Sequence, residues 1–367
     1  MDLQDGLPAE ELTSARAGRL APVTHGRVLV AGASGSIGRS VVCELLRSGY
    51  EVVAPVRSAT AEARVRDAIG GADAQPPGVI SFVRLDVTDS TAVDAASTAI
   101  GAVDALICCL ASRTGAPVEA DQVDRAATIA MLRCAEQAGA RRAVLLSAIC
   151  VQRPRLAFQH AKLASEAAFL ASTVPHTIVR ATAFFKSLSG QVRRVAEGKS
   201  FLVFGDGRST ACKPISDADL AGVLVDCLAR IDVADKTIVA GGPGPAIMPV
   251  DQAAMLADLL GRAVAIRRIP LGLVRSIRAT LGAFARMTPR GLKRVQTAAE
   301  FARIAEYYAS ESMLVLNPET GAYDGAATPE YGTDTLDAHY ARLLEAHRRG
   351  VDMDDAAQWE RVDTPLF

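Results

Sequence analysis

The sequence predicts an α/β fold in which helices cover both faces of a doubly wound parallel sheet. Short apolar runs recur along the first half of the chain, amphipathic segments separate them, and a glycine-rich turn follows the first run. Strands that are apolar along their whole length are typical of parallel sheets buried between helices. After about residue 183 the alternation becomes irregular, which predicts a smaller, mainly helical C-terminal lobe.

The predicted elements follow one another in chain order. Strands are predicted at 27–31, 51–56, 79–85, 105–109, 143–147 and 177–180, with helices near 36–48, 89–99, 119–138 and 157–171. The later strands are predicted at 201–204, 237–240 and 264–269, and the later helices at 250–261, 271–309 (broken at 288–289) and 334–348. A further helix is predicted to begin after Ser216, because serine followed by acidic residues is a favourable N-terminal cap.

Composition excludes several classes of protein. The 367 residues are 50% hydrophobic and 22% charged with a net charge of -1, which is typical of a globular protein and gives no excess of positive charge for nucleic acid. The seven cysteines form no C-x-x-C pair, so buried thiols in a reducing compartment are predicted, and any hydride chemistry requires an organic cofactor. No apolar run reaches the roughly 18 residues of a membrane span, and the first 24 residues lack a signal-peptide core. We therefore expect a cytoplasmic protein.

The first apolar run leads into a turn with the spacing G-x-x-G-x-x-G. Gly32 permits the tight turn, Gly35 lets the backbone approach a pyrophosphate, and Gly38 lets the following helix pack closely on the sheet. The charge of a pyrophosphate would then meet the helix N-terminus. The predicted cofactor residues of this turn are Gly32, Ala33, Ser34, Gly35, Ser36, Ile37 and Gly38.

The ends of the next strands complete the predicted dinucleotide site. A site that prefers NAD carries an acidic residue at the end of the second strand, but here that strand ends in Arg57. Because arginine pairs with a 2′-phosphate, we predict NADPH rather than NADH. Ligands bind beyond the carboxyl ends of parallel strands. We therefore place Asp86 and Val87 at the adenine, and Leu110, Ala111 and Ser112 along the ribose and pyrophosphate.

This arrangement resembles the short-chain dehydrogenase/reductase superfamily in its extended and atypical branch. That family has a serine after the fifth strand and then Tyr-x-x-x-Lys on the next helix, and this sequence has Ser147, Phe158 and Lys162. The resemblance implies that Lys162 contacts the nicotinamide ribose and that Ser147 belongs to the catalytic group. Phe158 stands where the family has its tyrosine, so the usual proton donor is missing.

The missing tyrosine limits the chemistry that this site can perform. Reduction of a ketone needs a proton delivered to oxygen, and a positioned acid contributes roughly 10²–10⁴-fold to such a step. Phenylalanine cannot deliver that proton. Hydride addition to a double bond conjugated with a large π system leaves a delocalised carbanion, which water or a weak acid can protonate later. Phe158 therefore argues against carbonyl reduction and is compatible with alkene reduction or with no catalysis.

Motifs along the rest of the chain narrow the resemblance. They are SAICVQRP at 147–154, FQHAKL at 158–163, VRATAFFKSL at 179–188, FGDG at 204–207, ACKPIS at 211–216, GGPG at 241–244, YYASESM at 307–313 and TGAYD at 320–324. With them, about residues 26–345 resemble the NADPH-using, ferredoxin-independent divinyl chlorophyllide 8-vinyl-reductases. One departure is Ala181 after Arg180, where that family commonly has proline.

The resemblance implies reduction of the 8-vinyl group of divinyl chlorophyllide a, or of its protochlorophyllide precursor, to ethyl in chlorophyll or bacteriochlorophyll synthesis. The implied substrate is a flat magnesium tetrapyrrole that carries a propionate. The residues proposed to meet it are Phe158, Phe184 and Phe185 at its rings and Arg180, Lys186 and Lys213 at its carboxylate. Tyr307 and Tyr308 are the candidate late proton donors, although packing between helices is the stronger interpretation of both.

Several questions stay open at the level of sequence. His160 is a candidate ligand for the substrate magnesium, although a place on the helix surface is the stronger interpretation, and no metal site of the protein is predicted. Basic residues at 271–303 are either a solvated helix face or a peripheral contact with the photosynthetic membrane. The predicted regions are an extension at 1–24, an NADP-binding domain at 25–183, a substrate lobe that also completes the sheet at 184–350, and a tail at 351–367.

Two other functions remain alternatives. A non-catalytic NADP(H) sensor of the NmrA-like kind also lacks the tyrosine, and turnover would distinguish it from an enzyme. An NADPH alkene reductase for small phenolic compounds would need a narrower cleft than a tetrapyrrole. A sugar-nucleotide epimerase is disfavoured, because its chemistry relies on the missing tyrosine.

Overall fold

The computed structural model of the chain describes residues 21–70, 78–272, 275–276, 279 and 293–350. The strands are β1 (Arg27–Ala31), β2 (Glu51–Val56), β3 (Ile80–Arg84), β4 (Ala105–Cys108), β5 (Arg142–Ala148), β6 (His176–Ala181), β7 (Phe201–Phe204), β8 (Lys236–Ala240), β9 (Ile266–Ile269), β10 (Val315–Leu316) and β11 (Tyr323–Asp324). Seven of them form one parallel sheet in the order β3-β2-β1-β4-β5-β6-β8. This confirms the predicted doubly wound fold.

Helices cover both faces of that sheet. The longer helices are α1 (Ser36–Arg47), α2 (Ala59–Gly70), α3 (Ser90–Ala95), α4 (Thr128–Gln137), α5 (Ala157–Ala171), α6 (Asp217–Ala229), α7 (Pro249–Leu260), α8 (Lys293–Tyr308) and α9 (Leu336–Arg348). Short helical turns occur at Ser97–Ile100, Pro117–Ala120, Ile149–Gln152, Phe185–Leu188 and Val192–Ala196, and a π-helical turn at Asp121–Ala127 leads directly into α4.

The alternation of side chains along β1 explains the two layers of core. Val28 and Val30 face one apolar cluster with α1 and α6, whereas Leu29 and Ala31 face a second cluster with α4 and α5. All four side chains are fully buried. Burial of a Val or Leu side chain contributes roughly 1.5–3 kcal/mol, so strands that are apolar on both faces strongly favour this sandwiched position.

The order of the strands positions the functional crevice. The chain winds from β1 outward to β3 and then returns to β4 beside β1, so the direction of winding reverses between β1 and β4. In the register of these two strands Ala31 lies opposite Cys108. The Gly32 turn and the loop after Cys109 therefore face each other at the carboxyl ends, where open α/β sheets bind their ligands.

The C-terminal lobe is more varied than predicted. Strands β7 and β9 form a small parallel sheet, and β10 and β11 form an antiparallel hairpin that was not predicted. A separate apolar cluster joins β7 to α7 and α9. Strand β8 of this part joins the main sheet. The division into regions remains a prediction, and its proposed extension at 1–24 and tail at 351–367 lie almost wholly outside the described residues.

Candidate nucleotide and substrate site

The glycine turn has the close contacts that its spacing predicts. Gly32 adopts a φ of +85°, and a Cβ there would lie 3.0 Å from the Cys109 backbone. A Cβ on Gly38 would lie 2.0 Å from the Gly32 carbonyl oxygen, which is far inside contact distance. Ala33 and Ile37 are buried in the core below the turn. Glycine is therefore required at 38 by the approach of α1 to the turn.

The first turn of α1 is suited to an anion. Gly35 occupies the N-cap position without a side-chain hydrogen bond to the helix, so the first backbone N–H groups of α1 are not capped by it. Such groups, together with the helix dipole, bind phosphate. The Ser34 carbonyl accepts a hydrogen bond from Arg39 at 3.0 Å, which fixes the turn. The residues present therefore fit a dinucleotide pyrophosphate.

A half-buried acid lies beside this turn. The Ser36 hydroxyl donates a hydrogen bond to Asp217, the first residue of α6. Burial raises the pKa of Asp217, although the Ser36 bond and the positive charges of Lys186 and Arg39 oppose that rise. Lys186 lies close enough for its positive charge to act on Asp217. Its contact with the substrate carboxylate stays a prediction.

The predicted adenine side of the crevice is open. Arg57 is exposed at the end of β2, and Asp86 is exposed after β3. Hydrogen bonds from Thr88 hold the pKa of Asp86 below its usual value, and the charge of Arg57 acts in the same direction. Arg57 and Asp86, the two residues predicted to contact the adenosine half of the cofactor, are thus close enough to interact electrostatically. Val87 is half-buried against the core.

The loop after β4 and helix α5 are linked by one carboxylate. The Asp124 side chain accepts the Ser112 backbone N–H at 3.2 Å and lies 3.1 Å from the Lys162 ammonium. Burial disfavours the charged form of Lys162, but Asp124 outweighs this effect and raises the pKa of the ammonium. Leu110 is half-buried and Ala111 is exposed along the same loop. Lys162 and Ser112 thus lie close together, as a shared cofactor site requires.

Ser147 and Arg180 are joined through a second buried acid. The Ser147 hydroxyl donates to Glu166 at 2.5 Å, and the same carboxylate receives two hydrogen bonds from Arg180. Glu166 is 2% exposed. The guanidinium of Arg180 is therefore engaged inside the fold by a bidentate pair, which corrects its assignment to the substrate carboxylate.

Aromatic side chains form an apolar cluster next to Lys162. Phe158 is half-buried, and a Cβ on Gly115 would lie 3.2 Å from its ring and 3.0 Å from Ile304 on α8. The Tyr307 hydroxyl donates to the Cys150 carbonyl at 2.8 Å, so Tyr307 joins α8 to the turn after β5. This engagement and its burial argue against Tyr307 as a proton donor. Tyr308 packs edge-on against it with ring centroids 5.5 Å apart and is 40% exposed.

Two further substrate assignments are corrected by burial. Phe185 is 3% exposed and packs against His339 in the C-terminal core, with ring centroids 5.3 Å apart. Lys213 is buried, and its ammonium bonds Glu330 at 2.5 Å. Neither side chain is free for a pigment. Phe184 is half-buried against the main core. Its contact with the rings of the substrate stays a prediction.

The structure shows few contacts for His160 and for the basic residues of 271–303. His160 is exposed on α5, and no group of three or more potential metal ligands occurs in the described part of the chain. Arg275 lies 3.4 Å from Glu306, whereas the side chains of Arg278, Arg286, Arg290, Lys293 and Arg294 lie outside the described residues. Among the helices that are described, none is long and apolar enough to cross a membrane.

The contacts of three buried or half-buried acids in this region were not predicted from the sequence. Each of these acids contacts a residue that the motifs did predict: Asp124 pairs with Lys162, Glu166 accepts from Ser147, and Asp217 accepts from Ser36. Glu166 and Lys162 are four residues apart on α5, which predicts an ion pair between them, but Glu166 pairs with Arg180 instead. The pairing of Asp124 with Lys162 depends on tertiary contact between separate elements.

The sheet order, the glycine turn and the crevice define a nucleotide-binding α/β protein of the Rossmann type. A family model described as NAD(P)H-binding matches residues 32–230. A structure of the WbmG enzyme from Bordetella bronchiseptica, in complex with NAD and UDP, has a TM-score of 0.62 and 15% identity over 90% of this chain and 97% of that chain. The fold is therefore shared with a nicotinamide-binding enzyme.

Curated relatives define the family more closely. A divinyl chlorophyllide a 8-vinyl-reductase from Zea mays is 42% identical, over 94% of this chain and 86% of its own length. The protein of that name from Oryza sativa subsp. indica is 43% identical over 89% of this chain and 80% of its own length. Both relatives are named as chloroplastic. The chain belongs to the divinyl chlorophyllide a 8-vinyl-reductase family.

Proposed function

We propose that this chain uses NADPH to reduce the 8-vinyl group of divinyl chlorophyllide a, or of divinyl protochlorophyllide a, to an ethyl group. The observation that carries the proposal is the similarity to named reductases over nearly the whole chain. The half-buried ring of Phe158, one helical turn before Lys162, favours a C=C bond over a carbonyl, because related carbonyl reductases have a tyrosine there. The names of the maize and rice relatives support the substrate, because the similarity spans nearly the whole chain.

The reaction requires a hydride and a proton. NADPH, when bound, supplies the hydride to the vinyl group. The resulting carbanion is conjugated with the macrocycle, so its charge is spread over the ring and protonation does not require a phenol beside the reacting carbon. Phe158 instead offers an apolar face against which a flat ring can pack. A carbonyl substrate would lose the roughly 10²–10⁴-fold contribution of a positioned acid.

Different residues of the crevice bind the cofactor and supply the proton. The Gly32–Gly38 turn and the start of α1 bind the pyrophosphate, and the Lys162 ammonium binds the nicotinamide ribose. The exposed guanidinium of Arg57 pairs with the 2′-phosphate, which favours NADPH over NADH. Tyr308 remains the candidate proton donor, because Tyr307 is committed to the Cys150 carbonyl. Ser147 supports the site through Glu166 rather than through a free hydroxyl.

The test is anaerobic incubation of the purified protein with divinyl chlorophyllide a and NADPH, followed by chromatographic separation of the pigments. We expect the monovinyl product with NADPH and much less with NADH. Equal turnover with both cofactors would refute the role of Arg57 and leave the reaction intact. Tight NADPH binding without any monovinyl pigment would exclude the reductase and favour a non-catalytic NADP(H) sensor.

A variant of Lys162 tests the role assigned to its ammonium. Lys162→Met removes the ammonium that binds the ribose and should abolish most turnover, whereas Asp121→Asn changes an exposed acid on the neighbouring π-helical turn and should not. Identical activity in Lys162→Met and wild type would refute the role of the Lys162 ammonium in turnover.

Location follows from the proposed substrate. A cytoplasmic protein that touches the photosynthetic membrane through the basic residues of 271–303 would meet its pigment there. Flotation with vesicles that contain anionic lipid tests this contact, and absence of the protein from the floated fraction would exclude it.

A further inference from the structure

Two arginines that precede α5 converge on one buried glutamate. Glu311, which follows α8, is 5% exposed, and its carboxylate lies 2.8 Å from Arg155 and 3.3 Å from Arg153. The same carboxylate accepts the Tyr323 hydroxyl of the β10–β11 hairpin at 2.5 Å. Because two guanidinium groups share one carboxylate, this arginine cluster of Arg153, Arg155 and Glu311 has an excess of positive charge.

The charge balance of the arginine cluster differs from that of the cations assigned above to internal pairs. Arg180 and Lys213 each face one glutamate, so those pairs are neutral. Within the part of the chain that the structure describes, Arg153 and Arg155 form ion pairs with Glu311 alone. Arg155 uses one nitrogen for that contact, and its side chain is 59% exposed, which leaves further N–H donors to solvent. A second carboxylate can therefore pair with the cluster without displacing Glu311.

Contacts on both sides hold the arginine cluster in place. Arg153 donates to the Gly321 carbonyl of the hairpin, and its guanidinium lies 5.2 Å from the centroid of the Tyr323 ring. The backbone N–H of Arg155 donates to the buried Gln159 side chain at 2.7 Å. Groups that are already ordered lose less entropy when a ligand binds, so this order favours binding of an anion.

The arginine cluster borders the apolar residues that are proposed to meet the pigment. Leu156, next to Arg155, belongs to the apolar cluster against which Phe158 packs, and the charge of Arg155 also acts on Tyr307. Along the chain Arg155 comes before Phe158, whereas Lys162 comes one helical turn after it. In the substrate, the pyrrole ring that carries the propionate lies across the macrocycle from the ring that carries the 8-vinyl group. A vinyl group near Lys162 would thus direct the propionate toward the other side of Phe158.

We propose that Arg155, supported by Arg153 and Glu311, binds the propionate carboxylate of the tetrapyrrole. This site rests on the proposed function, and it replaces the carboxylate contacts first assigned to Arg180 and Lys213. The exposed guanidinium of Arg155 supplies the hydrogen bonds, and Glu311 fixes its orientation. Esterification of the propionate removes the charge that the site recognises, so the free acid is the form of the pigment that Arg155 favours.

The test compares a pigment with its propionate methyl ester. Monovinyl chlorophyllide a and this ester differ in one charge, and the fluorescence of the pigment gives the Kd of each without any turnover. Wild type should bind the acid about three- to tenfold more tightly, as for a partly exposed charged hydrogen bond. Arg155→Gln should bind the acid as weakly as the ester, with the Kd of the ester unchanged. A merely structural defect would weaken binding of both pigments alike.

Arg141→Gln is the matched control. The Arg141 side chain is 43% exposed and lies 3.0 Å from Asp104, and it precedes the amino end of β5, whereas Arg155 follows the carboxyl end of that strand. Removal of the same charge at the opposite edge of the sheet should leave the preference for the acid within about twofold of wild type. An equal loss of preference in both variants would show an effect of net charge alone and would overturn the proposal.

Two further measurements keep the site testable if Arg155→Gln does not fold. Equal Kd values for acid and ester in wild type would overturn the proposal without any variant. Loss of the preference in Lys186→Met, with retention in Arg155→Gln, would assign the carboxylate to Lys186 and would also overturn it. Pigment binding without a preference for the acid would contradict this site alone, and a preference without NADPH-dependent turnover would contradict the proposed reaction alone.

Discussion

The contact between the glycine turn and α1 gives the sharpest test of the fold. In Gly38→Ala the new Cβ would lie 2.0 Å from the Gly32 carbonyl oxygen and 2.8 Å from its carbon. Both neighbours are backbone atoms, so the clash can be relieved only by moving α1 away from the turn. Overpacking usually costs about 1–3 kcal/mol, and a backbone clash belongs at the upper end of that range. A Tm lowered by up to about 4 °C is therefore expected for a chain of this length.

The same displacement of α1 should weaken binding of the cofactor, because the pyrophosphate meets the first turn of that helix. We expect a rise of about tenfold or more in the Kd for NADPH, which corresponds to about 1.4 kcal/mol. Gly222→Ala is the matched control, since Gly222 also lies within a helix, α6, and a methyl group added there would have no neighbouring atom within 4 Å. There the substitution should raise stability by roughly 0.5–1 kcal/mol. If Gly38→Ala melts and binds like wild type, the close packing of α1 on the turn is refuted.

Three further predictions concern charge. Arg57→Ala should reduce the preference for NADPH over NADH about tenfold or more, measured as the ratio of the two Kd values, and an unchanged ratio would remove Arg57 from the 2′-phosphate site. Burial lowers the pKa of His339 to about 4 from its ordinary 6.5, so its contribution to stability is complete above pH 6.5 and is lost as pH falls from there through 4. His339→Gln should therefore flatten the fall of Tm over that interval, and a fall as steep as in wild type would contradict this cause. Burial raises the pKa of Asp217 from 3.8, so the cost of its charge to stability accumulates as pH rises from 3.8 and is complete above the raised pKa. Asp217→Asn should raise Tm at about pH 8 more than at about pH 4, and an equal change at both would show that the charge is not responsible.

The local pattern of apolar and polar residues was sufficient to predict most elements of the fold. The observed bounds of β1, β2, β7 and α5 equal the predicted ones, because an apolar run or a helical face ends there at glycine, proline or polar residues. Helix α2 was missed because only Ala61 and Val65 in it are buried, which leaves almost no apolar periodicity. The predicted helix at 89–99 is two short helices, since the first ends at Ala95 and the second begins at Ser97.

The candidate site was predictable only where backbone geometry determines it. Gly32 and Gly38 could be selected because their roles need no partner beyond the adjacent strand and helix. Arg180 and Lys213 could not be assigned correctly, because sequence does not reveal that Glu166 and Glu330 neutralise them. In a polar motif, a lysine or arginine can pair either with a carboxylate of the substrate or with a glutamate or aspartate of the protein itself. The distinction requires tertiary contacts.

The replacement of tyrosine by Phe158 changes what is required of Lys162. A lysine beside a phenol assists proton transfer by lowering the pKa of that phenol, and such a role ends when the hydroxyl is absent. Here the ammonium faces Asp124, which raises its pKa and keeps it charged at neutral pH. A permanently charged lysine is a poor base but a good binding group for ribose hydroxyls. The pair of Asp124 and Lys162 therefore fits a site that places a nicotinamide over a conjugated double bond and leaves protonation to a later, less demanding step.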